Sequence, residues 1–199
     1  SENPREAAAR YRNEERNSIA LHVLVAVRPP LDLVKQIIKL APNTVSQETK
    51  DDMVPLHIAH DNGASQDVID YLLKCEELYS LCVGVRDALD NERDGAFQII
   101  QDWLADDQNP REIAARISDQ DNYAPLHVLV AARPPLNLVK TIIELAPDTV
   151  YQLMNDGRKP FDIAIKSEAP SLDVLGYLLK CKELYCLCIT ALNGRYESD

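Results

Sequence analysis

Five cysteines and four histidines are the residues of this chain with the widest chemical reach. Thiolates and imidazoles together build zinc sites, and a thiolate next to an imidazole makes a nucleophile. The spacing favours neither. Cys75 and Cys82 are seven residues apart, as are Cys181 and Cys188. That spacing puts each pair on one helical face among apolar neighbours, where cysteine behaves as a small buried hydrophobe. Cys186 adds a Cys-x-Cys with Cys188, but zinc wants four clustered ligands, and His22, His57 and His127 fall at helix starts elsewhere. There is no Gly-rich phosphate loop and no Gly-x-Ser-x-Gly elbow. The acidic pairs Asp51-Asp52, Glu76-Glu77 and Asp106-Asp107 read as solvated caps at element ends. The expectation is therefore no catalysis, no metal and no cofactor.

The net charge of −11 argues against nucleic acid, whose phosphates need lysine and arginine, and against an anionic membrane surface. No apolar run reaches membrane-spanning length. An odd cysteine count without a charged-then-apolar leader fits a reduced chain, so a cytoplasmic setting is expected, with the nucleus left open. The start at Ser1, just before Asn3-Pro4, reads as a fragment of a longer chain or a trimmed end. A partner, if charge steers it, would be a basic protein.

The elements that position these residues centre on Ala124 to Pro147. Pro125 suits the first turn of a helix, and Leu126, Leu129 and Val130 follow at helical spacing. Arg133-Pro134-Pro135 stops that helix. A second helix carries Leu138, Val139, Ile142, Ile143 and Leu145 and ends at Ala146-Pro147. Neither is long enough to stand alone, so each must bury its stripe against a neighbour. The neighbours are copies. Ala20–Gln47 aligns with Pro125–Gln152 at an offset of 105, and only 7 of the 28 pairs differ. Asn3-Pro4-Arg5-Glu6 recurs from Asn109 as a second helix start, so helices are expected from there to about Glu15 and to about Ile117. Tyr71–Cys75 recurs at Tyr177–Cys181. The chain is a tandem duplication, divided here into a first copy over 1–90, a helical connector over 91–108 and a second copy over 109–199.

Inside each copy a shorter period of 35 runs from Leu21 to Leu56 and from Leu126 to Phe161. Helix–turn–helix units of that length stack side by side. Val54-Pro55-Leu56-His57 and Ala124-Pro125-Leu126-His127 resemble the Thr-Pro-Leu-His signature of the ankyrin-repeat family, divergent in the manner of diatom and other protist arrays. Four units carry the resemblance: Asn17–Pro42, Lys50–Cys75, Gln120–Pro147 and Asn155–Cys181. The first has Ala20 in place of proline, and the fourth has Phe161-Asp162 in place of Leu-His. The resemblance implies an all-α, ankyrin-type helical solenoid with short loops or minimal β-hairpins between helix pairs. It implies that His22, His57 and His127 bond backbone between neighbouring loops. One repeat length separates the copies; Glu76–Leu89 and Ala96–Asp106 read there as a degenerate fifth unit, with Trp103 as core.

By function the resemblance implies a protein-binding scaffold whose groove is made by loop tips and first-helix ends. Matched to this sequence those are Glu15, Arg16 and Ser18 in the first unit, and Lys50, Asp51, Met53, Asp61 and Asn62 in the second. In the third they are Gln120, Asp121 and Tyr123, and in the fourth Asn155, Asp156, Arg158, Lys166 and Ser167. Tyr123 and Met53 are the expected anchors, since a ring and a thioether at a tip serve contact better than solvation. The competing expectation is a structural segment of a larger protein that self-associates as a homo-oligomer. Gly63 and Gly157 are expected at positive φ, closing a helix and a turn.

Overall fold

The computed structural model describes residues 3–88, 92–167 and 171–181. Asn3 opens α1 (Pro4–Arg10), its Oδ1 accepting the N–H of Arg5 at 3.0 Å. The helix stops at Arg10, short of Glu15. The next residues form a hairpin, β1 (Arg12–Asn13) against β2 (Ser18–Ile19), with Arg12 opposite Ile19. Asn13 Oδ1 holds its turn by accepting the N–H groups of Glu15 and Arg16. Then come α2 (Ala20–Val25), α3 (Leu31–Leu40), α4 (Pro55–Asp61), α5 (Gln66–Asp87), α6 (Arg93–Ala105) and α7 (Arg111–Ala114). The second copy supplies α8 (Pro125–Ala131), α9 (Leu136–Leu145), α10 (Pro160–Lys166) and α11, residues 172–181. The described chain is mostly helical, with the one hairpin its only sheet, so the fold is all-α.

The duplication is visible in the geometry. After α3 and α9, Pro42–Thr44 and Pro147–Tyr151 make tight 3-10 turns. In each a buried threonine hydroxyl, on Thr44 or Thr149, donates back to the carbonyl of Ala41 or Ala146. Lys35 lies over the Tyr71 ring and Lys140 over the Tyr177 ring, at 5.3 and 5.5 Å from the centroids. Positive φ recurs in register. Asn17, Asp52, Asn122 and Gly157 share one loop position, and Arg28, Gly63 and Arg133 share the position that ends the first helix. Gly63 at φ +65° and Gly157 at +83° match the expectation.

The copies part company in the middle. α5 runs unbroken for 22 residues, through the place where one helix was expected to end and another to begin. Nothing between Cys75 and Leu81 can break it, because the stretch has neither proline nor glycine. The Glu76-Glu77 pair consequently sits mid-helix rather than at a cap. α7 is a single short turn ending before Ile117, and Asn109 does not repeat the cap of Asn3. Its Nδ2 donates instead to the carbonyl of Trp103, closing the end of α6.

Two hydrophobic clusters form the core. One takes residues of α2 to the first half of α5, with Ile117 from the second copy. The other takes Leu78, Cys82 and Val85 from the second half of α5, then Phe97, Ile100, Trp103 and Leu104 of α6, then α8, α9 and α11. The division between the two clusters therefore falls inside α5, between Cys75 and Leu78. Trp103 is buried, and its Nε1 donates to Glu77 Oε2 at 2.8 Å. α5 makes its broadest contact with α8, so the trailing half of the first copy roofs the leading helix of the second.

Candidate interaction surface

Each loop tip is a short closed turn. The Thr49 and Asp119 N–H groups donate to the Met53 and Tyr123 carbonyls, and Met154 N–H donates to that of Arg158. Thr49 Oγ1 accepts the N–H groups of Asp51 and Met53, and Asp119 Oδ1 those of Asp121 and Tyr123. The residues in the left-handed region are Asn, Asp and Gly, the types that tolerate it.

Neighbouring tips are stitched in pairs. Lys50 N–H donates to Arg16 O and Asn17 Nδ2 to Glu48 O. The second copy repeats both bonds, from Asn155 N–H to Asp121 O and from Asn122 Nδ2 to Leu153 O, and adds Asn155 Nδ2 to Gln120 O. The row breaks after the second tip, because the place of a third is taken by α5. Tyr79 of that helix donates to Asp119 Oδ2 at 2.6 Å, fastening it beside the next tip. The candidate residues thus fall into two groups. Glu15, Arg16, Lys50 and Asp51 are exposed tips of the first pair, with Asp61 and Asn62 exposed at the end of α4. Gln120, Asp121, Asn155 and Asp156 are exposed tips of the second, with Lys166 exposed at the end of α10.

The two expected anchors are less free than their neighbours. Ser18, Met53, Tyr123, Arg158 and Ser167 are half-buried. Tyr123 packs on the second core and meets the His127 ring edge-on at 6.0 Å. An alanine at Tyr123 would therefore disturb packing as well as any partner. Met53 lines a cleft of about 440 Å³ with Leu56, His57, Asp61, Ile69 and Leu73. A cleft of about 340 Å³ in the second pair shares only two positions with it, Arg158 for Met53 and Lys166 for Asp61, and is otherwise lined by Arg93, Arg133, Ala131 and Ile163. Four cations face this cleft on a chain of net charge −11, so local and global charge differ in sign. Arg158 is partly neutralised by Asp156, with Nε to Oδ2 at 2.6 Å. A third cleft, unforeseen, opens where the copies meet, between Arg10, Arg12, Asn43, Gln47, Arg116 and Asp148. Its charges hold loops together: Arg116 pairs with Asp148 at 3.1 Å and donates to Glu112 O, and Arg12 donates to Asn17 and Gln47.

The histidines divide. His22 Nδ1 accepts the N–H of Ile19, and Nε2 donates to Gln47 O at 3.0 Å. His127 makes the same pair of bonds with Ala124 and Gln152. Burial holds both below the ordinary histidine value, His127 down to about 4, so both stay neutral. Each reaches a carbonyl 25 residues ahead. For His57 that position is Cys82, inside α5, where backbone carbonyls are already bonded within the helix. His57 is accordingly exposed, which corrects its assignment as a loop-bonding residue. In the fourth unit Asp162 takes over half of the role, its Oδ2 accepting the N–H of Lys159 at 2.9 Å.

The described thiols are not activated. Burial pushes Cys75 and Cys82 up to about 12, and raises Cys181 as well. Arg86, one turn beyond Cys82, pairs with Asp87 instead. Cys186 and Cys188 lie outside the described residues. Among the described residues no group of three or more His, Cys, Asp or Glu could hold a metal ion, and no helix is long and apolar enough to cross a membrane. No family model matches the chain, and no curated protein matches it significantly.

Proposed function

We propose that the chain is a protein-interaction scaffold of the ankyrin-repeat type, binding through paired loop tips and the first-helix ends beside them. The observation that carries this reading is the register of the tips. Four units place Asn17, Asp52, Asn122 and Gly157 in the same left-handed conformation. Neighbouring tips are joined by matching backbone bonds. Such a frame holds exposed side chains in fixed positions at little entropic cost on binding. The two halves would read different features of a partner. The first pair offers an apolar cleft rimmed by Asp61, and the second a cationic one suited to an acidic segment.

Charge reversal separates this surface from the rest. Lys50→Glu with Asp121→Lys and Lys166→Glu alters three exposed side chains, so the thermal transition should stay put. Partners captured from cell extract by the parent chain should be lost by at least about tenfold in affinity, the size expected for central contacts. Lys39→Glu, on the exposed side of α3, should leave capture unchanged. Full capture by the tip variant, with loss in Lys39→Glu, would put the site on the second helices.

A further inference from the structure

The internal junction between the copies has an open counterpart on the first unit. In the second copy α8 and α9 are covered: Val128, Ala132 and Leu138 are 1%, 2% and 1% exposed. Their equivalents in the first copy, at an offset of 105, are Val23, Val27 and Leu33, which are 63%, 70% and 40% exposed. Ile37, half-buried, corresponds to the fully buried Ile142. Together with Tyr11, itself 71% exposed, these residues line an apolar groove of about 640 Å³. A continuous apolar patch of this kind marks a docking surface.

The second copy also shows what fits such a face. It is the second half of α5, which lays Leu78, Cys82 and Val85 into the core beneath α8. That half-helix is itself duplicated in the sequence. Cys75–Val83 reads CEELYSLCV, and Cys181–Ile189 reads CKELYCLCI, with 6 of 9 residues identical. Leu184 and Cys188 stand where Leu78 and Cys82 do, and Ala191 where Val85 does. This second version follows α11, whose Val174 and Leu178 belong to the second core, whereas the open groove belongs to the first unit. One chain thus carries both halves of the junction.

We infer that the groove formed by Val23, Val27, Leu33 and Ile37 receives residues 183–192 of a second copy of this chain, repeating the α5–α8 junction between molecules. The contact is head-to-tail. Each added copy leaves one groove and one such segment open, so assembly continues instead of closing at a dimer unless the rotation forms a ring. Ser18 borders both surfaces, but the tip residues Lys50, Asp121 and Lys166 lie outside the groove's lining, so self-association and partner capture are separable by mutation at those positions.

Sedimentation velocity across a wide concentration range tests this. The full chain should grow in mass with concentration. Val23→Asp with Val27→Asp, at positions already facing solvent, should stay monomeric with unchanged circular dichroism. Leu184→Asp should also stay monomeric. Mixed together, these two variants should form a one-to-one complex that does not grow, because each keeps the half the other has lost. A synthetic peptide of residues 177–192 should bind the parent chain and shorten its assemblies, with affinity at least about tenfold weaker for the double aspartate variant. This arm does not depend on how Leu184→Asp folds. A parent chain that is monomeric throughout and ignores the peptide, or assembly that persists in the double aspartate variant, would overturn the inference.

Discussion

The two copies share most of their residues over Ala20–Gln47 and Pro125–Gln152, yet they live in different surroundings. In the second copy, helix α8 is buried along its length from Pro125 to Val130, and its partner α9 buries Leu138, Val139, Ile142 and Ile143. In the first copy, α2 and α3 bury only Leu21, His22, Val25, Val34 and Ile38. What differs is the neighbour on one side. The second copy has α5 against it, and the first has only α1 and a small hairpin. Near-identical sequence therefore gives the same local turns, while burial depends on what is stacked next, as nearest-neighbour energetics in repeat assemblies would have it.

The largest effect that can sharpen this contrast is a matched pair of cavities. Leu138→Ala should destabilise by about 3 kcal/mol in urea unfolding, since it empties a filled site. Leu33→Ala, the same change at the equivalent position, should cost less than about 1 kcal/mol in dilute, monomeric protein, because its side chain is there already partly in water. Equal losses under those conditions would mean that the first copy's face is covered within the monomer.

Next in size is the histidine pair. His127→Ala strands the N–H of Ala124 and the carbonyl of Gln152, a loss of about 2 kcal/mol, whereas His57→Ala should be nearly silent in the same melt. His127 also gives a pH signature. Unfolded, it takes a proton near its ordinary 6.5; folded, it does so only near about 4. The stability it supplies is complete above 6.5 and is lost as pH falls toward 4. Glu76 works in the opposite sense. Burial raises it from 4.5 to about 7, so its contribution is present below 4.5 and is lost as pH rises through about 7. The two offset each other between 7 and 4.5. Glu76→Gln should steepen the acid loss of stability over that window, and a slope unchanged by the substitution would remove Glu76 from the account.

Smallest is Gly63→Val. A side chain there meets both a left-handed φ and the Arg28 guanidinium, 3.4 Å from where its Cβ would stand. Loss of about 1 kcal/mol or more is expected, read as a fall in melting temperature. Arg28 and Arg133 hold the same conformation without being glycine, so an unchanged temperature would mean the position tolerates side chains generally.

Much of this was legible in the sequence. Proline at the first turn of α4, α8 and α10 and the apolar spacing of α9 placed those helices, and the offset of 105 placed their equivalents. The tip residues were selected through the ankyrin resemblance, by their place relative to Pro-Leu-His, and most of them are exposed. His57 was misread because its bond depends on a loop 25 residues ahead, and that loop does not exist where α5 stays helical. The signal was available: no proline or glycine interrupts Val68–Val83. Tyr123 is half-buried for a related reason. Its exposure is set by the second core, which α5 of the first copy and α6 of the connector complete. The grooves are also beyond a single-sequence reading, since they join residues as distant as Arg93 and Arg158.

Whether the copies form one stacked body is tested most directly by following unfolding with two probes. Trp103 is the only tryptophan, and it sits in the second core, bonded to Glu77 of α5. Its fluorescence reports the region between the copies, and far-ultraviolet circular dichroism reports all the helices. With α5 shared by both cores, the two signals should follow one urea transition with the same midpoint. A fluorescence transition clearly separated from the helical one would contradict the account, leaving two lobes that unfold independently.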